Sequence, residues 1–197
     1  MEDNRMVSFS LGGMAFEYDD NKNQINIKKH GISFKSAARI FFDYDRIEFY
    51  DEDHSYDEDR YNTIGDTSAG RISQKAEGAL IGNIDQFIGK VNEILFVVYT
   101  ERVRIEESGT KTDVTRLISA RMATEFERGG FIMVKTSEMS MELKQELAFT
   151  KEELAELEAA KKMPITFDAD CPETTPERAV KFRRVNPPRN RMDAHGA

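Results

Sequence analysis

Apolar positions in the first two thirds of the chain fall into short runs that switch between strand-like and helix-like spacing. Ala15–Tyr18 reads as a short strand. The next stretch, "DDNKNQINIKKHG", carries Ile25 and Ile27 on a helix that Asp19 or Asp20 can cap. Lys28, Lys29 and His30 place cations in its last turn, and Gly31 supplies the left-handed residue that stops it. Ser33 can cap a second helix, along which Phe34, Ala37, Ala38 and Phe41 recur at helical spacing. Runs of β-branched and aromatic residues then predict strands at roughly Ile47–Tyr50, Arg60–Ile64, Ile94–Thr100 and Thr115–Ala120. "ATEFERGG" predicts a closing helix that ends at its glycines. Between the second and third of these strands, about residues 66–90, a Gly- and Ser-rich stretch reads as a long inserted loop.

The pattern changes at Met133. Large apolar residues thin out, and two short amphipathic helices flank an extended segment bounded by prolines. Thr150 and Glu153 form a capping box for the first helix, whose apolar stripe is Leu154, Leu157 and Met163. Thr174, with Glu177 three residues on, is expected to cap the second, which offers Val180 and Phe182. A segment this poor in apolar side chains has no core of its own and needs a surface to lie on. Residues 1–13 read as an N-terminal extension, 14–132 as one domain, and 133–197 as a helix–extended–helix strap. The strap is tethered by a flexible stretch from about Met133 to Phe149 and has a mobile tail from about residue 186.

Composition narrows the class. Hydrophobic residues make up 39% of the 197, enough for a core, and no apolar run is long enough to cross a bilayer. The first residues lack the basic start and apolar stretch of a signal peptide, and a lone Cys171 excludes an internal disulfide. Cys171 reads as a small apolar filler, and a cytoplasmic location is the expectation. Net charge is −8, carried mainly by residues 1–132, with 17 Lys and Arg against 24 Asp and Glu. Any RNA contact there needs a locally basic site. "DEDHSYDEDRYN" invites a calcium-loop reading through Asp51, Asp53 and Ser55. Tyr56 stands where that loop needs glycine, and Asn62 where it needs an acid, so no metal site is assigned.

Four stretches in order, "FEYDDNKNQINIKKHGISFKSAA", "RYNTIG", "LFVVYTER" and "RLISARMATEFERG", resemble BrnT toxins. The later "MPITFDADCPETTPERAVKFRR" is similar to the toxin-binding region of their BrnA antitoxins. The resemblance implies an α+β fold like RelE: a small antiparallel sheet with N-terminal helices and a C-terminal helix, followed here by the antitoxin-like strap. It also implies a ribonuclease (RNA interferase) of a type II toxin–antitoxin system, acting on mRNA without a cofactor. The partner is a cognate antitoxin or toxin segment, in cis or in trans, and homo-oligomers are possible. BrnA proteins usually continue into a ribbon-helix-helix domain. The residues after Arg191 are too few for one, which places promoter binding in doubt.

Metal-free RNA cleavage needs a base for the 2′-hydroxyl, an acid for the leaving 5′-oxygen, and cations where charge develops on phosphorus. Arginine suits the last task, because its planar fork matches phosphate oxygens. The catalytic candidates are Arg60, Arg102, Arg121, Glu58 and His30, with Lys28, Lys29 and Arg116 as RNA contacts. Each has a plainer alternative. The arginines can be strand-end charges paired with Glu58, Glu101 or Glu125. His30 can be a helix-ending cation, and Glu58 an ion-pair partner of Arg60. His54 and His195 are expected in solvent. Arg116 and Arg121, five apart, share a face only if their strand ends or bulges between them.

If the strap covers the basic site, Glu152, Glu153, Asp168 and Asp170 are its best candidates to meet the cations, and the joined chain is nearly silent. The alternative is a non-catalytic decoy that captures free toxin or antitoxin. A third reading, a DNA-binding regulator, rests on the cationic "KFRRVNPPRNR".

Overall fold

The computed structural model describes residues 5–67, 93–106, 109–130 and 141–186. Among the described residues, seven strands form one sheet: β1 (Met6–Leu11), β2 (Met14–Asp19), β3 (Ile47–Tyr50), β4 (Tyr61–Asp66), β5 (Ile94–Ile105), β6 (Lys111–Met122) and β7 (Arg183–Arg184). Their order is β1-β2-β6-β5-β4-β3-β7. Among these strands, β2 and β6 run parallel and the other neighbouring pairs antiparallel. The helices among the described residues are α1 (Asp20–His30), α2 (Phe34–Ala37), α3 (Glu125–Gly130), α4 (Met141–Leu147), α5 (Lys151–Ala160) and α6 (Pro176–Ala179), with 3-10 turns at Ala38–Phe42 and Glu52–His54. The chain is thus α+β, as expected, with a larger sheet.

Local signals set the helix ends where the residues predicted. The Asp19 side chain accepts from the Lys22 N–H, Gly31 takes φ 68°, and Ser33 caps α2. The face of α1 that is buried is a different matter. Ile25 is exposed, and Asn23, Asn26 and His30 are buried instead. The reason is the sheet edge. Pairing between β2 and β6 ends at Leu117. Beyond it the Asn26 carboxamide accepts from the Ala120 N–H and donates to the Ala120 and Ile32 carbonyls, as a further strand would. A polar helix face is therefore the right one to bury there.

Apolar side chains pack on both faces of the sheet. Phe16, Phe34, Ile40, Phe41, Leu95 and Leu117 build one cluster, and Ile64, Phe96, Val98 and Ile118 the other. The C-terminal segment contributes to both. Leu147, Phe149, Leu157 and Ala160 complete the first, while Cys171 is fully buried in the second with Phe182 against it. Further along, β7 pairs with the other edge of β3, with Phe182 and Phe49 in edge-to-face contact at 4.7 Å.

Four expectations are corrected. Residues 6–11 are an edge strand hairpinned onto β2, because Val7, Phe9 and Leu11 alternate toward the core. Residues 141–149 are not a free tether: α4 forms, and Arg39 donates to the Leu147 and Ala148 carbonyls with its guanidinium 4.1 Å from the Phe149 ring. Thr175, not Thr174, caps α6, which leaves Pro176 at the first helical position; the Thr174 hydroxyl is taken by Glu127. His54 is half-buried, its Nδ1 2.9 Å from Asp51. Residues 68–92, which hold most of the inserted loop, lie outside the described residues, as do 131–140 and the tail 187–197 with His195.

Candidate nucleic-acid interface

Strand register decides which cations share a face. On β5, Phe96, Val98, Thr100, Arg102 and Arg104 alternate onto one side. Phe96 lies opposite Arg121, Val98 opposite Ser119 and Thr100 opposite Arg116, while Tyr99 pairs with Leu117. Ile118 is the extra residue of a β-bulge. The bulge resets the alternation, so Arg116 and Arg121 stand on the same face as Arg102 and Arg104. It supplies the break that the five-residue spacing required.

The cations on that face form two groups. In the first, Arg102 meets Glu58 at 2.5 Å and Glu17 at 3.7 Å, Arg104 meets Glu17 at 2.9 Å, and Arg116 lies 4.0 Å from Glu58. Glu58 is thereby tied to Arg102, where the sequence suggested Arg60. All of these carboxylates come from the N-terminal two thirds of the chain.

The second group is covered by the strap. Cys171 is buried in the same cluster as Phe96 and Ile118, which brings the loop Asp168–Cys171 over this part of the sheet. Asp168 receives the Lys29 ammonium at 2.6 Å. Asp170 receives Lys22 on Oδ2 at 2.9 Å and Arg60 on Oδ1 at 3.3 Å. The Pro172 carbonyl accepts from Arg121 at 3.1 Å. Of the four acids proposed to meet cations, Asp168 and Asp170 do so here. Glu153 instead pairs with the buried Arg39 at 3.0 Å, and Glu152 is exposed.

Arg121 is the most enclosed of these side chains. Glu127 takes it in a two-bonded fork at 2.7 Å on each side, and it stacks 4.1 Å from Phe96 and 5.1 Å from Phe167. Burial pushes the Glu127 carboxyl up, but the Arg121 fork outweighs it and holds the group below its usual range. His30 is buried beside this pair, and its Nδ1 has no hydrogen-bond partner among the described residues. Burial lowers its pKa, opposed by Asp168 and assisted by Arg121 and Lys29. The imidazole is therefore held neutral with a free lone pair or N–H. Burial pushes the Cys171 thiol up to about 11, which keeps it a packing group rather than a nucleophile.

Lys28 stands in the last turn of α1, outside the contacts that hold Lys22 and Lys29. Lys22 was missed by the sequence reading. The signal was present, since Lys22, Asn26 and Lys29 recur at four- and three-residue steps along one helix face. The calcium-like stretch is engaged otherwise: Asp51 accepts from Asn62 and His54, and Asp53 pairs with Arg178 at 3.2 Å.

Residues 18–74 match the family model described as ribonuclease toxin, BrnT, of type II toxin-antitoxin system. The match contains Lys22, Lys28, Lys29, His30, Glu58 and Arg60, and stops before β5, β6 and the strap. No curated protein matches the chain. Among the described residues, no helix is long and apolar enough to cross a membrane.

Proposed function

We propose that the chain is a toxin–antitoxin module in one polypeptide. A BrnT-like, metal-free endoribonuclease unit occupies about residues 14–132, and the segment 133–197 acts as its antitoxin-like cover. The observation that carries this reading is the Asp168–Cys171 loop, which neutralises Lys22, Lys29 and Arg60 and lies against Arg121.

Once the loop lifts, the base and the cations have candidates, and the leaving 5′-oxygen takes its proton from solvent. Neutral His30 takes the proton of the 2′-hydroxyl as its oxygen attacks phosphorus. Arg60 meets the charge that develops on the phosphoryl oxygens. Lys22 and Lys29 hold flanking phosphates. Arg121, tied to Glu127, is a positioning group that fixes the electrostatics around His30. Arg102, Arg116 and Glu58 form a side cluster along which the strand can continue.

Three half-exposed ion pairs hold the loop, each contributing about 0.2–1 kcal/mol. Replacing Asp168 and Asp170 with Asn should therefore raise the open population, and the rate of RNA cleavage, by about tenfold. The check is gel-resolved cleavage of a single-stranded RNA by the full chain and by this variant, with Arg60→Ala added as a third sample. Cleavage that rises in the first variant and vanishes in the second supports the nuclease.

A decoy reading is favoured by a different observation: Arg102 and Arg121 are already paired with Glu58 and Glu127 of the same unit. An opened chain that binds separate antitoxin but cuts no RNA establishes the decoy instead.

A further inference from the structure

We infer that Asp168 and Asp170 stand in two phosphate subsites, so that Lys22 with Arg60 binds one phosphate and Lys29 its neighbour on the same strand. This rests on the reading of the covered face as an RNA site, and it can be tested without cleavage.

The geometry of Asp170 points to it. Its two oxygens take separate cations, Oδ2 from Lys22 at 2.9 Å and Oδ1 from Arg60 at 3.3 Å, as two non-bridging phosphate oxygens do. Asp168 is built differently. Its Oδ1 accepts the N–H groups of Asp170 and Cys171, and the loop thereby aims Oδ2 at Lys29. The two acids are two residues apart, so their Cα atoms are separated by at most about 7 Å. That matches an anion repeat of adjacent phosphates rather than one doubly bound group. Lys22 and Lys29 stand two turns apart on α1, about 10 Å along its axis, and their long stems close the remaining gap. Both side chains are nearly half exposed, so an incoming strand can reach them at the loop's rim before the loop is displaced.

The cover can leave this face while the rest of the strap stays docked. Leu147, Phe149 and Leu157 are buried in the opposite cluster, and Arg39 holds the start of α5 there. Displacement by RNA thus exchanges two carboxylates for two phosphates and draws Cys171 out of the second cluster, while the anchors on the other face stay in place.

The test measures binding of a fluorescein-labelled 2′-O-methyl oligoribonucleotide, whose attacking oxygen is blocked, by anisotropy over a range of salt. The full chain carrying Asp168→Asn and Asp170→Asn should bind at least about tenfold tighter than the parent, since an opened site gains several screened phosphate contacts. In that background Lys22→Ala, Lys29→Ala and Arg60→Ala should each flatten the slope of log K against log salt by about 0.7, the value for one phosphate contact on a single strand. Lys151→Ala, on the exposed start of α5, should not change it. The amide oxygen of Asn keeps the loop's turn bonds. If thermal melting shows the double variant unfolded, Asp170→Asn alone opens the Lys22–Arg60 subsite and is read the same way. The inference is overturned if the opened chain binds no tighter than the parent, or if Lys22→Ala and Lys29→Ala leave the slope unchanged. Slopes that flatten in a chain that never cuts unmodified RNA keep the subsites and remove the nuclease. Cleavage with unchanged slopes does the reverse.

Discussion

His30 shows how far one residue's neighbours alter its meaning. By position it is a helix-ending cation, the plainest role for a histidine after two lysines. The fold buries it among Lys29, Arg121 and Asp168, and burial then favours the neutral ring. The sign for stability follows from linkage. Below the ordinary value of 6.5 the unfolded chain takes up a proton that the folded chain resists. The contribution is complete above about pH 6.5 and is lost as pH falls toward the folded-state value. The melting temperature should accordingly drop between pH 7 and 5, and His30→Gln should flatten that slope. Glu127 and Asp168 do not blur the window. Their pKa values are held below the ordinary 4.5 and 3.8, so their losses come at lower pH. A melting profile equally steep in the variant would assign the acid sensitivity elsewhere. Neither the burial of His30 nor that of Arg121 was legible in the sequence, because the groups responsible come from α3 and the strap, far along the chain.

At the scale of elements, helix ends were readable and helix faces were not. Asp19, Ser33, Gly31 and the Thr150–Glu153 box act within one turn, so their neighbours in sequence are also their partners. Burial of Asn26 depends on Ala120, a strand edge 94 residues away. Gly31 joins the two kinds of information. Its φ of 68° ends α1, and a Cβ placed there would stand 3.0 Å from the Ala160 Cα and 2.7 Å from the Met163 sulfur. Gly31→Ala should cost at least about 1–2 kcal/mol from the left-handed backbone alone. It should also push α5 outward, visible as faster amide exchange in Lys151–Ala160. Exchange there that matches the parent would show that the contact between α1 and α5 carries no weight. β1 was legible in principle, since Val7, Phe9 and Leu11 alternate as a strand should. α4 was not, because its stripe is only Leu143 and Leu147.

Across the described residues, the C-terminal segment packs on both faces of the sheet and adds an edge strand, β7, to it. It is more than a cover. Fully burying Leu147, Phe149 and Leu157 contributes about 1.5–3 kcal/mol each. That sum is comparable with the entire stability of a small domain, about 5–15 kcal/mol. Residues 1–132 alone should therefore unfold without a sharp transition and bind a hydrophobic dye, and a peptide of residues 141–186 should restore cooperative melting. A sharp, dye-free transition in the isolated 1–132 would mean that the first unit closes its own core. The cationic stretch near the end is drawn into the same packing: Arg184 pairs with Asp45 at 2.5 Å, and Arg178 with Asp53.

The sequence by itself determined the order of the elements from β2 to α3, the caps of α1, α2 and α5, the change of character near Met133 and most of the cationic residues available for phosphate. Each of these is fixed by neighbours within a few residues, or by composition. Tertiary structure alone decided that a bulge at Ile118 turns Arg116 and Arg121 to one side, that Asn26 closes a sheet edge, and that Asp168 and Asp170 land on Lys29, Lys22 and Arg60. Those outcomes depend on register and on contacts between residues far apart in the chain, where side chains are brought together by apolar burial and not by their own charges.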